Sequence, residues 1–169
     1  MEEDFERVLA ALHEMRPPDT MLYRLSNLHG AELECLARAW PELPVENRQR
    51  IALRLVEIGE TDFEMDFDEV FKICLRDAEP QVRRAGIEGL WEDEDISLIR
   101  PLVKMLREDR SDMVREAAAI SLSRFALQAE LGRLQARLAD MVWTALKSAH
   151  EDPDETIDVR RRSLESMAY

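Results

Sequence analysis

Three histidines and two cysteines are the strongest metal-binding and nucleophilic side chains in this 169-residue chain. His13-Glu14 and His150-Glu151 are adjacent imidazole–carboxylate pairs, the donor types that hold a transition metal. Two pairs near opposite ends of the chain, with His29 alone before Gly30, fall short of the ligand number and spacing such a centre needs. Asp62, Glu64, Asp66 and Asp68 alternate like the front of a calcium loop. Phe67 stands where that loop needs its glycine, and Ile73 where it needs its last glutamate. Acids favoured in the first turn of a helix explain the run better. Asp152, Asp154 and Asp158 lie near Arg160, Arg161 and Arg162, but no nucleophile or base geometry accompanies them. No glycine-rich phosphate loop, Gly-x-Ser-x-Gly elbow or Cys/His nucleophile spacing occurs. The expectation is a chain that is not an enzyme and that takes no metal and no other cofactor.

Charge points to recognition instead. The net charge is −13 and the pI about 4.7. That field repels nucleic-acid phosphates and anionic membrane surfaces, and suits another protein with a basic surface. Glu92-Asp93-Glu94-Asp95 follows Trp91 as an acidic corner that could hold a basic peptide, with Trp91 as its aromatic anchor. The competing reading is a solvated turn whose tryptophan fills a gap between repeats. Cys35 and Cys74 form no disulfide framework and no Cys-x-x-Cys, which fits a reducing compartment. The N-terminus, Met1-Glu2-Glu3-Asp4, has no basic leader, and no apolar run approaches the ~18 residues of a spanning helix. A cytoplasmic location is expected.

The elements that carry these residues repeat. Asp77–Leu90 reads DAEPQVRRAGIEGL, and looser copies follow at Asp109–Leu122 and Asp154–Met167. Each has an Asp (Asp77, Asp109, Asp154) five residues before a Val-Arg pair: Val82-Arg83, Val114-Arg115 and Val159-Arg160. Small residues follow the Val at four (Gly86, Ala118, Ser163) and at seven (Gly89, Ser121, Ser166). A large apolar residue follows at eight (Leu90, Leu122, Met167). Offsets of four, seven and eight share one helical face, where small residues admit a neighbouring helix. The Asp suits the turn before the helix, and the Arg fork suits pairing with such an acid on an adjacent repeat. The third copy departs from the others by placing Arg162 where Ala85 and Ala117 stand.

This pattern resembles the HEAT-like, armadillo-type helical repeat. The stretch Ile99 to Asp109 is similar to the first helix of such a repeat, with Pro101 inside it and an expected kink there. The resemblance covers 63 onward and is weaker over 28–59. It implies an all-α, right-handed α-solenoid of about four stacked antiparallel helix hairpins in one domain. The hairpins are expected at 30–59, 63–92, 95–129 and 131–169, after an N-terminal cap over 1–29. Helices are read over 3–15, 30–40, 45–58 with Gly59 as a cap, 63–76, 80–91, 95–108, 111–129 and 131–150, with a last one from 155. A pattern that runs to Tyr169 with no polar end helix suggests the N-terminal part of a longer solenoid.

The function expected is a non-catalytic protein–protein scaffold. Arg84, Glu88, Trp91, Asp93, Glu94 and Glu116 are the candidate contacts, lying outside the small-small-large face. Asp77, Arg83, Asp109, Arg115, Asp154 and Arg160 form a structural ladder. HEAT-type di-iron hydroxylases, HEAT-like alkylpurine DNA glycosylases and bilin lyase subunits are the enzymatic alternatives the resemblance implies. The first needs four His-Glu pairs and the second a basic groove. The third needs an aromatic cluster, for which Trp40, Trp91 and Trp143 are the material. A spacer within a larger protein is the remaining alternative.

Overall fold

The computed structural model describes residues 2–168, with Glu2 and Glu3 as backbone only; Met1 and Tyr169 lie outside it. The expectation built on the chain running to Tyr169 therefore falls outside the described residues. Every regular element among the described residues is helical. The α-helices are α1 (Glu2–Leu12), α2 (Asp19–Leu22), α3 (Gly30–Ala39), α4 (Val45–Thr61), α5 (Asp68–Cys74), α6 (Pro80–Gly89), α7 (Ile99–Glu108), α8 (Asp112–Glu130), α9 (Ala136–Glu151) and α10 (Ile157–Glu165), with short 3-10 turns at Tyr23–Leu25, Trp40–Glu42 and Ile96–Leu98. Two compact units divide the chain, Met1–Leu90 and Trp91–Tyr169.

In the first unit, Phe5, Val8 and Leu12 line the buried face of α1, which packs on α2 and α3. On α4, Ile51, Ala52, Leu55 and Ile58 form the inner stripe against α6. Burying each such large side chain contributes about 1.5–3 kcal/mol. The small residues of α6 are steric necessities. A Cβ on Gly86 would stand 2.9 Å from Cys74 Cβ and from the Phe71 carbonyl oxygen, and one on Gly89 would enter the Phe71 ring. In the second unit, α7, α8 and α9 pack on one another and α10 packs on α8 and α9. Its core comprises Ile99, Leu102, Leu106, Val114, Ala118, Leu122, Phe125, Val142, Leu146 and Val159. Ser163 of α10 and Ser166 at its C-cap are buried, and Ser166 Oγ donates to the Ala119 carbonyl at 2.9 Å.

Several boundaries differ from the sequence reading, and three of them have a clear local reason. α4 runs through Gly59 to Thr61; Thr61 Oγ1 bonds the Glu57 and Ile58 carbonyls, and the Asp62 amide closes on Ile58. α5 starts at Asp68 rather than Phe63. Residues 62–67 are spent on two Asx turns, in which Asp62 Oδ1 accepts from the Glu64 amide (3.1 Å) and Asp66 Oδ1 from the Asp68 amide (3.0 Å). α9 starts at Ala136 rather than Leu131, because Leu131-Gly132 ends α8 in a Schellman motif. Gly132 has φ +67°, its amide meets Ala129, and the Arg133 amide meets Gln128 at 2.8 Å. Pro101 is the third residue of α7, which follows directly on a 3-10 turn over Ile96–Leu98 whose N-cap is Asp95.

Candidate interaction surface

One arginine recurs at a fixed place: four residues after the N-cap of α4, α6, α8 and α10. The N-caps are Pro44, Glu79, Ser111 and Thr156, and the arginines Arg48, Arg83, Arg115 and Arg160. Each reaches back over the preceding connection and donates to a main-chain carbonyl. Arg48 Nη1 meets Pro41 O (3.1 Å) and Leu43 O (2.7 Å). Arg83 Nη1 meets Asp77 O and Ala78 O, both at 2.8 Å. Arg115 Nη1 meets Asp109 O at 2.8 Å, and Arg160 Nε meets His150 O at 3.0 Å. The sequence reading missed Arg48, because Asn47 occupies the place of the valine. The Pro44-to-Arg48 spacing was the available signal.

The acids of the ladder differ in role. Asp77 is buried, and it receives the Trp40 indole N–H (2.8 Å), Arg48 Nη2 (3.3 Å) and the Glu79 amide (2.8 Å). Arg48 Nε also lies 2.9 Å from Asp77 Oδ2, close enough for ion pairing but off the line a hydrogen bond needs. Asp109 Oδ1 accepts the Ser111 amide at 2.9 Å. In the last connection the corresponding acceptor is Asp152, not Asp154: the Asp154 amide donates to Asp152 Oδ1 at 2.9 Å. That connection is two residues longer between its acid and Val159, which displaces the aspartate from the five-residue spacing. The partner of Arg115 is the neighbouring Glu155, in a two-pronged contact of 2.7 and 2.8 Å. Burial pushes the Glu155 carboxyl up. The Arg115 fork and the Thr156 amide outweigh it and hold the group below its ordinary value.

The candidate contact residues divide by exposure and partner. Arg84 and Glu88, in the first unit, bond each other at 2.7 Å. In the second unit, Glu116 is taken by Arg162 at 3.1 Å, so the residue that departed from the repeat has a counter-charge. Trp91 is 59% exposed. Asp93 beside it is half-buried: its carbonyl accepts Arg124 Nε at 2.9 Å and its Oδ1 accepts the Asp95 amide at 2.8 Å. Asp95 in turn accepts from the Ser97 amide and hydroxyl. Glu92 and Glu94 are exposed. Of the other tryptophans, Trp40 is buried on Asp77 and Trp143 is half-buried.

The groups with potential chemistry are dispersed. Among the described residues no three His, Cys, Asp or Glu side chains come together as metal ligands. The His150 ring N–H at Nδ1 donates to the Arg160 carbonyl (3.1 Å), and His13 is exposed. The Cys74 thiol is pushed well up by burial. No helix among the described residues is long and apolar enough to cross a membrane.

The family model for HEAT repeats matches residues 67–168, more than half of the chain. The chain belongs to the HEAT-repeat proteins. No curated protein matches it, and no solved structure does. The matched region spans α5 to α10; α4, with the Arg48 contact that repeats the device, lies before it.

Proposed function

We propose that this chain is a non-catalytic protein-interaction scaffold, and that a basic segment of its partner docks on Trp91 and the carboxylates that follow. The observation that carries the reading is an exposed tryptophan beside a turn that is already fixed. Arg124 pins the Asp93 carbonyl and the Asp93 and Asp95 side chains cap the turn, while Trp91, Glu92 and Glu94 remain open. An aromatic anchor carried on a pre-ordered turn loses little backbone freedom on binding. The net charge of −13 favours a basic partner over nucleic acid or an anionic membrane. Arg84, Glu88 and Glu116 already hold counter-charges, so they serve as secondary contacts. Two free thiols suit a reducing compartment such as the cytoplasm.

The test is quantitative affinity capture with wild type, Trp91→Ala and a Glu92→Lys/Glu94→Lys variant. A true anchor costs about 2 kcal/mol on truncation, near thirtyfold in Kd. Proteins retained by the wild type should be depleted accordingly in both variants. Equal retention by all three proteins would sink the reading.

A further inference from the structure

We propose that the solvent face of α7 is a second, separate docking surface, which receives an acidic helical segment of a partner protein. α7 buries Ile99, Leu102, Val103 and Leu106 and exposes Arg100, Lys104 and Arg107. Offsets of four and seven set the three cations in one row, about 10 Å long at 1.5 Å per residue. Arg110, exposed in the turn after the helix, extends the row.

None of these four cations has a hydrogen-bond or ion-pair partner among the described residues, in a chain with 36 acids to 23 bases. Elsewhere several arginines at the surface take a carboxylate, although Arg16, Arg76, Arg133 and Arg137 stand apart singly like these four. Arg24 pairs with Asp4, Arg54 with Asp19 and Glu57, Arg84 with Glu88, and Arg161 with Asp158. Between residues 100 and 110 the only acids are Glu108 and Asp109, and Asp109 caps its own turn. The row is therefore a local positive field that the fold leaves unneutralised.

Charge complementarity asks for an anion whose spacing matches. Glutamates at i, i+4 and i+7 on an opposing helix supply it. A nucleic-acid strand fits less well: its charge extends beyond the row into the field of the acidic chain, and the exposed face of α7 has no aromatic side chain for bases to stack on. A membrane fits less well too, since no large apolar side chain is exposed on that helix. The inference does not depend on Trp91.

The probe is a fluorescein-labelled, alanine-rich helical peptide with glutamates at i, i+4 and i+7, beside its glutamine counterpart. Fluorescence anisotropy is read at about 50 mM and about 500 mM NaCl, a change that shortens the screening length about threefold. Oligo-dT and phosphatidylcholine/phosphatidylserine vesicles run in parallel. The glutamate peptide should bind the wild type, weaken at high salt, and bind an Arg100→Glu/Lys104→Glu/Arg107→Glu variant at least about tenfold more weakly. Lys104→Glu alone should weaken it less, and keeps the test valid if the triple variant loses its helical circular dichroism. Equal binding of the two peptides, or no loss in the variants, overturns the proposal. So does tighter row-dependent binding of oligo-dT or vesicles. A dimer that dissolves in the triple variant would place a second copy there instead, and overturns it as well.

Discussion

In residues 1–90 the carboxylate that meets a repeat arginine is Asp77, whose side chain is 2% exposed and which receives donors from an indole, a guanidinium and a main-chain amide. In residues 91–169 the comparable carboxylate is Glu155, 10% exposed, facing the Arg115 fork and an amide of its own turn. The charge around them differs in the same sense. The first unit has 20 acids to 11 bases, the second 16 to 12, and four of the latter's cations stand in a row without a counter-ion. In the first unit the deeply buried Arg48–Asp77 pair joins α4 to the turn before α6. The second keeps the Arg115–Glu155 pair nearer to water than that one, and its cations Arg100, Lys104, Arg107 and Arg110 have no counter-ion among the described residues. Dielectric environment, more than the identity of the partners, sets what each contact is worth.

Three experiments press on that contrast. The largest effect is expected at Asp77→Ala, which leaves Arg48 charged, buried and unpaired; urea denaturation should show a loss of about 3–5 kcal/mol. Glu155→Ala should cost less, about 1–3 kcal/mol, because water can reach Arg115. The reverse order would break the comparison. Next is Gly89→Ala, where the new methyl meets the Phe71 ring; overpacking should cost about 1–3 kcal/mol. Shrinking the ring with Phe71→Leu should recover part of that loss, and a simple sum of the two penalties would count against a steric cause. The smallest effect is in pH. The folded-state pKa of Glu155 lies below its ordinary value, so the unfolded chain binds the proton more readily and the contribution is fully present at neutral pH. It is lost as pH falls through the depressed value. The stability gap between wild type and Glu155→Gln should therefore be flat above about pH 5 and narrow below about pH 4. A gap that widened in acid would reverse the sign.

Much of the fold was legible because helical faces repeat. The Val-Arg pairs and the small residues after them located α6, α8 and α10, and Pro80 marked the start of α6. The misreadings of α5 and α9 arise where a main-chain group found a local partner outside the helix, from a side chain in one case and from the main chain in the other. Asp62 and Asp66 supplied it ahead of α5, and Leu131-Gly132 diverted the chain between α8 and α9. Asp152 and Asp154 are two residues apart and chemically equal, so only the length of the connection decides which accepts the amide. At the candidate surface, pattern singled out Trp91 and its acids but left open whether the tryptophan is a contact or fills a gap between repeats, and the row of Arg100, Lys104 and Arg107 was not read from it. That Arg84 and Glu116 already have partners, and that the α7 cations have none, depends on rotamers and distances that no linear pattern encodes.

The guanidinium that reaches back over each connection grips peptide oxygens, and every amino acid supplies those alike. Substitutions within the connection therefore do not erase its acceptors, and added residues only change which oxygen is taken. The separation from arginine to carbonyl is six residues at Arg115 and ten at Arg160. Such a device tolerates uneven change among repeats: a copy can lengthen its corner and change its side chains while one arginine stays in register.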